Sequence, residues 1–170
     1  MSEFILVRLY GEGEHEACPC GAGGWANTRF PPTIGQSMLI KLLRAKIHNA
    51  TVTQTDVNYH GSITIDADLL AASGLMPNEA VIVADCENGN RFETYVIVGE
   101  AGSGVIGING AAARLSNVGN RVIIMSFVLA TADEAAIHRS RVVIADAKNR
   151  AAETLVHATT AERSARGGVE

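Results

Sequence analysis

Residues 80–98 read AVIVADCENGNRFETYVIV: two runs rich in β-branched and aromatic side chains, 80–85 and 91–98, flank Glu87-Asn88-Gly89-Asn90. An Asn-Gly step between such runs favours the positive backbone angles of a tight reversal, so the stretch predicts a β-hairpin. Before it, SITI at 62–65 reads as another short strand, and Asp66 can cap a short helix, ADLLAASG, that stops at Gly74. After it, VIGIN at 105–109 and RVIIMSFVLA at 121–130 supply two more strands, with GAAARLSNVGN turning between them. Thr131 and Glu134 stand at capping-box spacing and open a helix in TADEAAIHRS, after which RVVIA at 141–145 is a last strand. Many short strands, short helices and Gly-punctuated turns predict a mainly β fold, a small closed barrel rather than a βαβ sheet.

The 170 residues, 47% hydrophobic and 19% charged, suffice for one domain with its own core. Its boundaries are expected at 38 and 146. Residues 1–37 carry a dense cluster of Gly, Cys, Pro and small polar residues that buries little apolar area, which predicts a disordered extension. From Met38 the texture changes to LIKLLRAKIHNATVT, with polar and apolar residues interleaved; residues 147–170 are rich in Ala, Arg, Glu and Thr and read as a mobile tail. A net charge of −4 with no Lys/Arg block argues against a nucleic-acid partner. Cys18, Cys20 and Cys86 do not describe a disulfide framework and suit a reducing cytoplasm, and no apolar run approaches the length of a membrane span.

Two motifs are weak. Gly102-Ser103-Gly104-Val105-Ile106-Gly107 fits the G-x-G-x-x-G pattern of dinucleotide sites, but it does not open a helix and no acidic residue stands some twenty positions on. Cys18-Pro19-Cys20 with His15 falls short of the four ligands of a closed zinc site, so no metal is expected. A third, Asn58-Tyr59-His60-Gly61-Ser62, contains a Gly-Ser step that is usually only a turn. A serine hydroxyl can nevertheless attack the preceding carbonyl and convert the peptide to an ester, and β-elimination with subsequent hydrolysis then leaves a pyruvoyl group. Glycine on the acyl side would tolerate strained dihedrals and present no Cβ to the incoming oxygen.

The segments KIHNATVTQTDVNYHGSITIDADLL, ENGNRFETYVI, GSGVIGINGAAARL and VGNRVIIMSFV together closely resemble the bacterial aspartate 1-decarboxylase proenzymes, in order and in spacing, over roughly Met38 to Phe127. The resemblance implies a six-stranded double-psi β-barrel, a homotetramer with active sites between subunits, and conversion of L-aspartate to β-alanine for pantothenate synthesis. It implies cleavage between Gly61 and Ser62, with Ser62 becoming a built-in pyruvoyl cofactor that reacts with the substrate amine. Tyr95 matches the proton donor, Thr94 a neighbouring substrate and processing residue, and Gly110-Ala111-Ala112 a backbone cradle for substrate. Lys46, His48, Arg91 and Asn109 match polar residues lining the same pocket, with Tyr59 beside the cut. The need for an accessory maturation factor is not readable from the residues. The chain departs from the pattern in starting 37 residues before Met38, in its longer tail and in Ile40, where relatives often carry Arg.

Strand geometry agrees with most of this. Positions two or four apart on a strand share a face, so Lys46 projects with His48 and Arg91 with Tyr95, and two cations meet a dianionic substrate. Which carboxylate each grips stays open. Thr94 falls on the face opposite Tyr95, which a bulge or a strand end would resolve. The rival reading is a non-catalytic barrel that binds without chemistry; the joint presence of Gly61-Ser62, Thr94-Tyr95, Lys46 and Arg91 speaks against it.

Overall fold

In the computed structural model, which describes residues 38–158, the chain runs β1 (Ile40–Thr51), β2 (Gln54–Asp56), β3 (Ser62–Asp66), α1 (Ala67–Ser73), β4 (Ala80–Asp85), β5 (Arg91–Gly99), β6 (Ile106–Asn109), a 3-10 turn (Gly110–Arg114), β7 (Arg121–Ala130), α2 (Ala132–Ile137), β8 (Arg139–Ala145) and β9 (Ala151–Ala158). The expected extension at 1–37 and the end of the tail, 159–170, lie outside the described residues. The fold is mainly β, as expected.

The 80–98 hairpin forms, β4 and β5 pairing antiparallel from Ala80↔Tyr95 to Ala84↔Arg91. Its loop is organised by Asp85, whose carboxylate accepts the backbone N–H groups of Glu87 (2.9 Å) and Asn88 (3.3 Å), while Gly89 takes the positive φ of +77°. Both helices end where their capping residues stand. Asp66 accepts the N–H of Asp68 at 2.8 Å, Gly74 closes α1 in the left-handed conformation, and Thr131 with Glu134 forms the reciprocal capping box of α2. Helix α2 is shorter than expected. His138 hydrogen-bonds the Leu43 carbonyl through Nε2 at 2.7 Å, and β8 starts at Arg139 to run parallel with β1.

The tail is corrected at its start: Ala151–Ala158, expected to be mobile, pairs antiparallel with β8 as β9. It is anchored by Asn149, a buried residue at φ +57°. Asn149 Nδ2 donates to the Thr51 (2.8 Å) and Gly104 (2.7 Å) carbonyls, and its Oδ1 accepts the Thr51 N–H at 2.7 Å. The backbone at Lys148 approaches so near that a Cβ on Gly104 would stand 2.5 Å from the Lys148 oxygen.

The nine strands follow the order β2-β6-β3-β5-β4-β7-β1-β8-β9. Strands β1 and β2 are separated in sequence only by residues 52 and 53, yet stand six places apart in that order, so the sheet must curl back on itself. At this seam Val52 N–H bonds the Asn120 carbonyl and Thr53 N–H the Ile106 carbonyl, each at 2.9 Å. With the Gly119 N–H bonded to the Val52 carbonyl at 2.8 Å, these are isolated contacts rather than a strand ladder, and the pairings give an open order, not the closed ring of six expected. Inside the curl lie Ile47, Ile63, Ile65, Val83, Val96, Ile106, Ile108 and Ile124, all fully buried. Burial of one such side chain contributes about 1.5–3 kcal/mol, so the core face of each strand is fixed and its other face is left to carry chemistry.

Candidate active site

Ser62, first residue of β3, is fully buried and pairs directly with Asn109, last residue of β6. The Asn109 Nδ2 group donates to Ser62 Oγ at 2.8 Å and to Thr64 Oγ1 at 3.1 Å. Ser62 Oγ in turn points to the His60 carbonyl at 3.4 Å. On its other side β3 runs parallel to β5, the first pair being Ile63↔Val96. One step earlier, Ser62 and Tyr95 lie side by side on the opposite face from that core pair, on strands about 4.8 Å apart. Asn109, Ser62, Tyr95 and Ala80 thus form one row across four strands.

At the Asn109 end of this row opens a cleft of about 500 Å³ lined by Gln54, Thr55, Asp56, Tyr59, Thr64, Ile97, Val98 and Asn109. The Tyr59 ring is half-exposed and packs edge-on against His60, with centroids 5.7 Å apart.

Two glycines stand here in different surroundings. A Cβ on Gly61 would meet nothing within 4 Å apart from its two chain neighbours, and Gly61 is not among the positive-φ glycines. Gly110, at φ +71°, is the constrained one: its Cβ would stand 2.7 Å from Gly61 Cα and 2.9 Å from Gly61 N. Two bare backbones therefore touch beside the Gly61-Ser62 peptide. Gly110, Ala111 and Ala112 begin the 3-10 turn, whose N-terminus has no side-chain cap.

The cations sit farther away. Lys46 pairs with Met125, Met125 with Ile82 and Ile82 with Glu93, so Lys46 shares a sheet face with Arg91, Glu93 and Tyr95 but is three strands from them, about 14 Å of sheet. Among the described residues neither Lys46 nor Arg91 is in an ion pair. His48, beside Lys46, has a buried Nδ1 without a hydrogen-bond partner; burial first, and the Lys46 charge second, lower its pKa below the usual histidine value.

Thr94 faces inward with Phe92 and Val96, and β5 carries no register shift there, so the bulge that would have turned it toward Tyr95 is absent. A handover of partners does occur: the β4 ladder ends at Tyr95 and the β3 ladder begins at Val96.

Sequence reasoning missed Thr64, whose signal was its place two residues beyond Ser62 on the same strand face. The Gly102–Gly107 motif proves to be an internal anion nest. The N–H groups of Gly102 (3.2 Å) and Gly104 (2.5 Å) are taken by the buried Asp66 carboxylate, and the motif leads into a strand rather than a helix. The Cys18, Cys20 and His15 group lies outside the described residues.

A row built around a Gly-Ser peptide, set beside a tyrosine and a cleft, can be compared with known proteins. Residues 38–152 match the model of the family described as aspartate decarboxylase. The chain is similar to the aspartate 1-decarboxylases of Caldicellulosiruptor saccharolyticus (54% identical), Caldicellulosiruptor bescii (53%) and Neisseria meningitidis (53%). Each alignment spans 113 residues, 66% of this chain and 88–89% of the relative. With the match running from the first described residue into β9 and taking in every element of the site, the chain belongs to the aspartate decarboxylase family.

Proposed function

We propose that this chain cuts itself between Gly61 and Ser62 and then, as a pyruvoyl-dependent enzyme, decarboxylates L-aspartate to β-alanine. One observation carries the reading: in a chain of this family, Ser62 Oγ is buried, held by Asn109 and placed one strand from Tyr95. In the first step Oγ bonds to the Gly61 carbonyl carbon, the bond to the Ser62 nitrogen breaks, and the hydroxyl proton passes to that nitrogen. Loss of the residue-62 Cα proton then breaks Cβ–Oγ and releases Gly61 as a carboxylate. Addition of water and departure of ammonia leave the carbonyl at position 62.

The residues present fit this group, since the position is enclosed and its neighbours are a donor amide and a phenol. The pyruvoyl group, once formed, supplies an electron sink for the bond to the departing carboxylate. Tyr95 delivers a proton to the carbon left behind. Arg91, able to make two parallel bonds, and Lys46, a point charge, bind substrate carboxylates, and the uncapped N–H groups at Gly110-Ala111-Ala112 cradle the substrate. His48 and Tyr59 complete the pocket wall, and Thr94 serves processing from the inward face.

The distance from Lys46 to Arg91 within one chain supports an arrangement in which the two cations of a site come from different copies, as in a homotetramer with sites between subunits. The curled sheet, with β1 running straight into β2 at the seam, supports a double-psi barrel, and the cysteine content a cytoplasmic setting. Intact mass spectrometry of purified protein, with an assay for β-alanine, tests the function. Two chains are expected, one ending at Gly61 and one beginning with pyruvoyl, whereas Ser62→Ala stays whole. A wild-type chain that remains single and unmodified on prolonged incubation, with or without a maturation partner, refutes the reading.

A further inference from the structure

We propose that Thr64 is a positioning residue for self-cleavage, acting through Asn109 on the oxygen that leaves when the Cβ–Oγ bond of residue 62 breaks. This rests on the self-cleavage reading and assigns a residue to one of its steps. The carboxamide nitrogen of Asn109 carries two protons, and the structure gives each an acceptor: Ser62 Oγ at 2.8 Å and Thr64 Oγ1 at 3.1 Å. Asn109 is 4% exposed, and Ser62 and Thr64 flank it on one strand face, so its amide plane is set by these two hydroxyls.

The Asn109 N–H donated to Ser62 Oγ matters most late in processing. When the Cα proton of residue 62 is removed, the electron pair moves to form Cα=Cβ, the Cβ–Oγ bond breaks, and Oγ departs as one oxygen of the Gly61 carboxylate. The carboxylate so formed carries a negative charge shared by Oγ and the former carbonyl oxygen, at a residue with no solvent exposure. A fixed N–H aimed at that oxygen stabilises the charge as an oxyanion donor does, an effect on the order of 10²–10³ in rate. Without the Thr64 hydroxyl the carboxamide can rotate away from Oγ. A β-branched threonine, with its restricted χ1, suits the holding role.

The test measures cleavage by intact mass in wild type, Thr64→Val and Thr64→Ser, with hydroxylamine added to open any ester. Thr64→Val, which keeps shape and removes the hydroxyl, is expected to cleave about 10- to 100-fold more slowly, part of the worth of the donor it positions. Its full-length fraction should be split by hydroxylamine at position 61, because the ester forms and waits. Thr64→Ser should recover to within about threefold, with thermal midpoints alike in all three. Should valine disturb the fold, Thr64→Ala reads the same loss. Wild-type cleavage with an equally fast Thr64→Val, or a serine variant as slow as valine, overturns the role of the hydroxyl. A hydroxylamine-resistant slow variant overturns its assignment to elimination. A wild-type chain that never cleaves is a separate result, against the self-cleavage reading itself.

Discussion

At the scale of single residues the two glycines that meet beside the Gly61-Ser62 peptide, the proposed point of cleavage, make different demands. Gly110→Ala would force a Cβ to 2.7 Å from Gly61 Cα at a positive φ, a strain of about 1–3 kcal/mol or a shift of the Gly61 backbone. We expect a lower thermal midpoint and severely slowed cleavage, whereas Gly61→Ala keeps the midpoint of wild type; equal midpoints for the two would refute the contact. Tyr95→Phe keeps the ring and removes the phenolic proton. The variant should cleave normally and form β-alanine about 10²- to 10⁴-fold more slowly, the usual worth of a general acid. Activity within about threefold of wild type would remove Tyr95 from the mechanism.

Among the elements, those with local chemistry were legible in the sequence. Asn88-Gly89, Asp66, Gly74 and the Thr131–Glu134 pair each mark a turn or cap through bonds to their own neighbours, and each stands where it was expected. The elements that escaped depend on distant partners. Strand β9 has no buried residue along its length, so no alternation announces it; it is held by backbone pairing with β8 and by Asn149, whose bonds reach 98 and 45 residues away. Likewise the family pattern gave the expected site residues and strand alternation the facing of Thr94, but the reach of Asn109 to Thr64 comes from register, which sequence spacing does not carry. Asn149→Ala leaves the Thr51 N–H and the Thr51 and Gly104 carbonyls without their side-chain partner. It is expected to cost about 1–3 kcal/mol in urea unfolding, and a loss below about 0.5 kcal/mol would show that the clamp is incidental.

For the whole molecule, charge and connectivity set two further expectations. Burial alone would raise the pKa of Asp66, but the N–H groups of Gly104, Asp68 and Gly102 and the charge of Arg150 outweigh it and hold the pKa below the usual value. A carboxyl lowered on folding adds stability above its unfolded pKa and loses it as pH falls through the folded one. The stability gap between wild type and Asp66→Asn should thus be widest near neutrality and shrink from about pH 4 downward, as urea unfolding across that range would read. A gap that is constant with pH would contradict this. If the cations of a site come from different copies, mixing Lys46→Ala with Tyr95→Phe subunits should restore wild-type chemistry at about a quarter of the sites, by random assortment. Mixtures no more active than their components would place both residues in one chain. The position of β1 between β7 and β8 carries a last consequence. Once the bond after Gly61 is cut, β1 and β2 belong to one polypeptide and the rest of the sheet to another, interleaved with no covalent link between them. Maturation converts a folding reaction into an association. The processed protein should therefore regain its structure after denaturation at a rate that rises with concentration, while the uncut Ser62→Ala chain folds its domain at a rate indifferent to dilution.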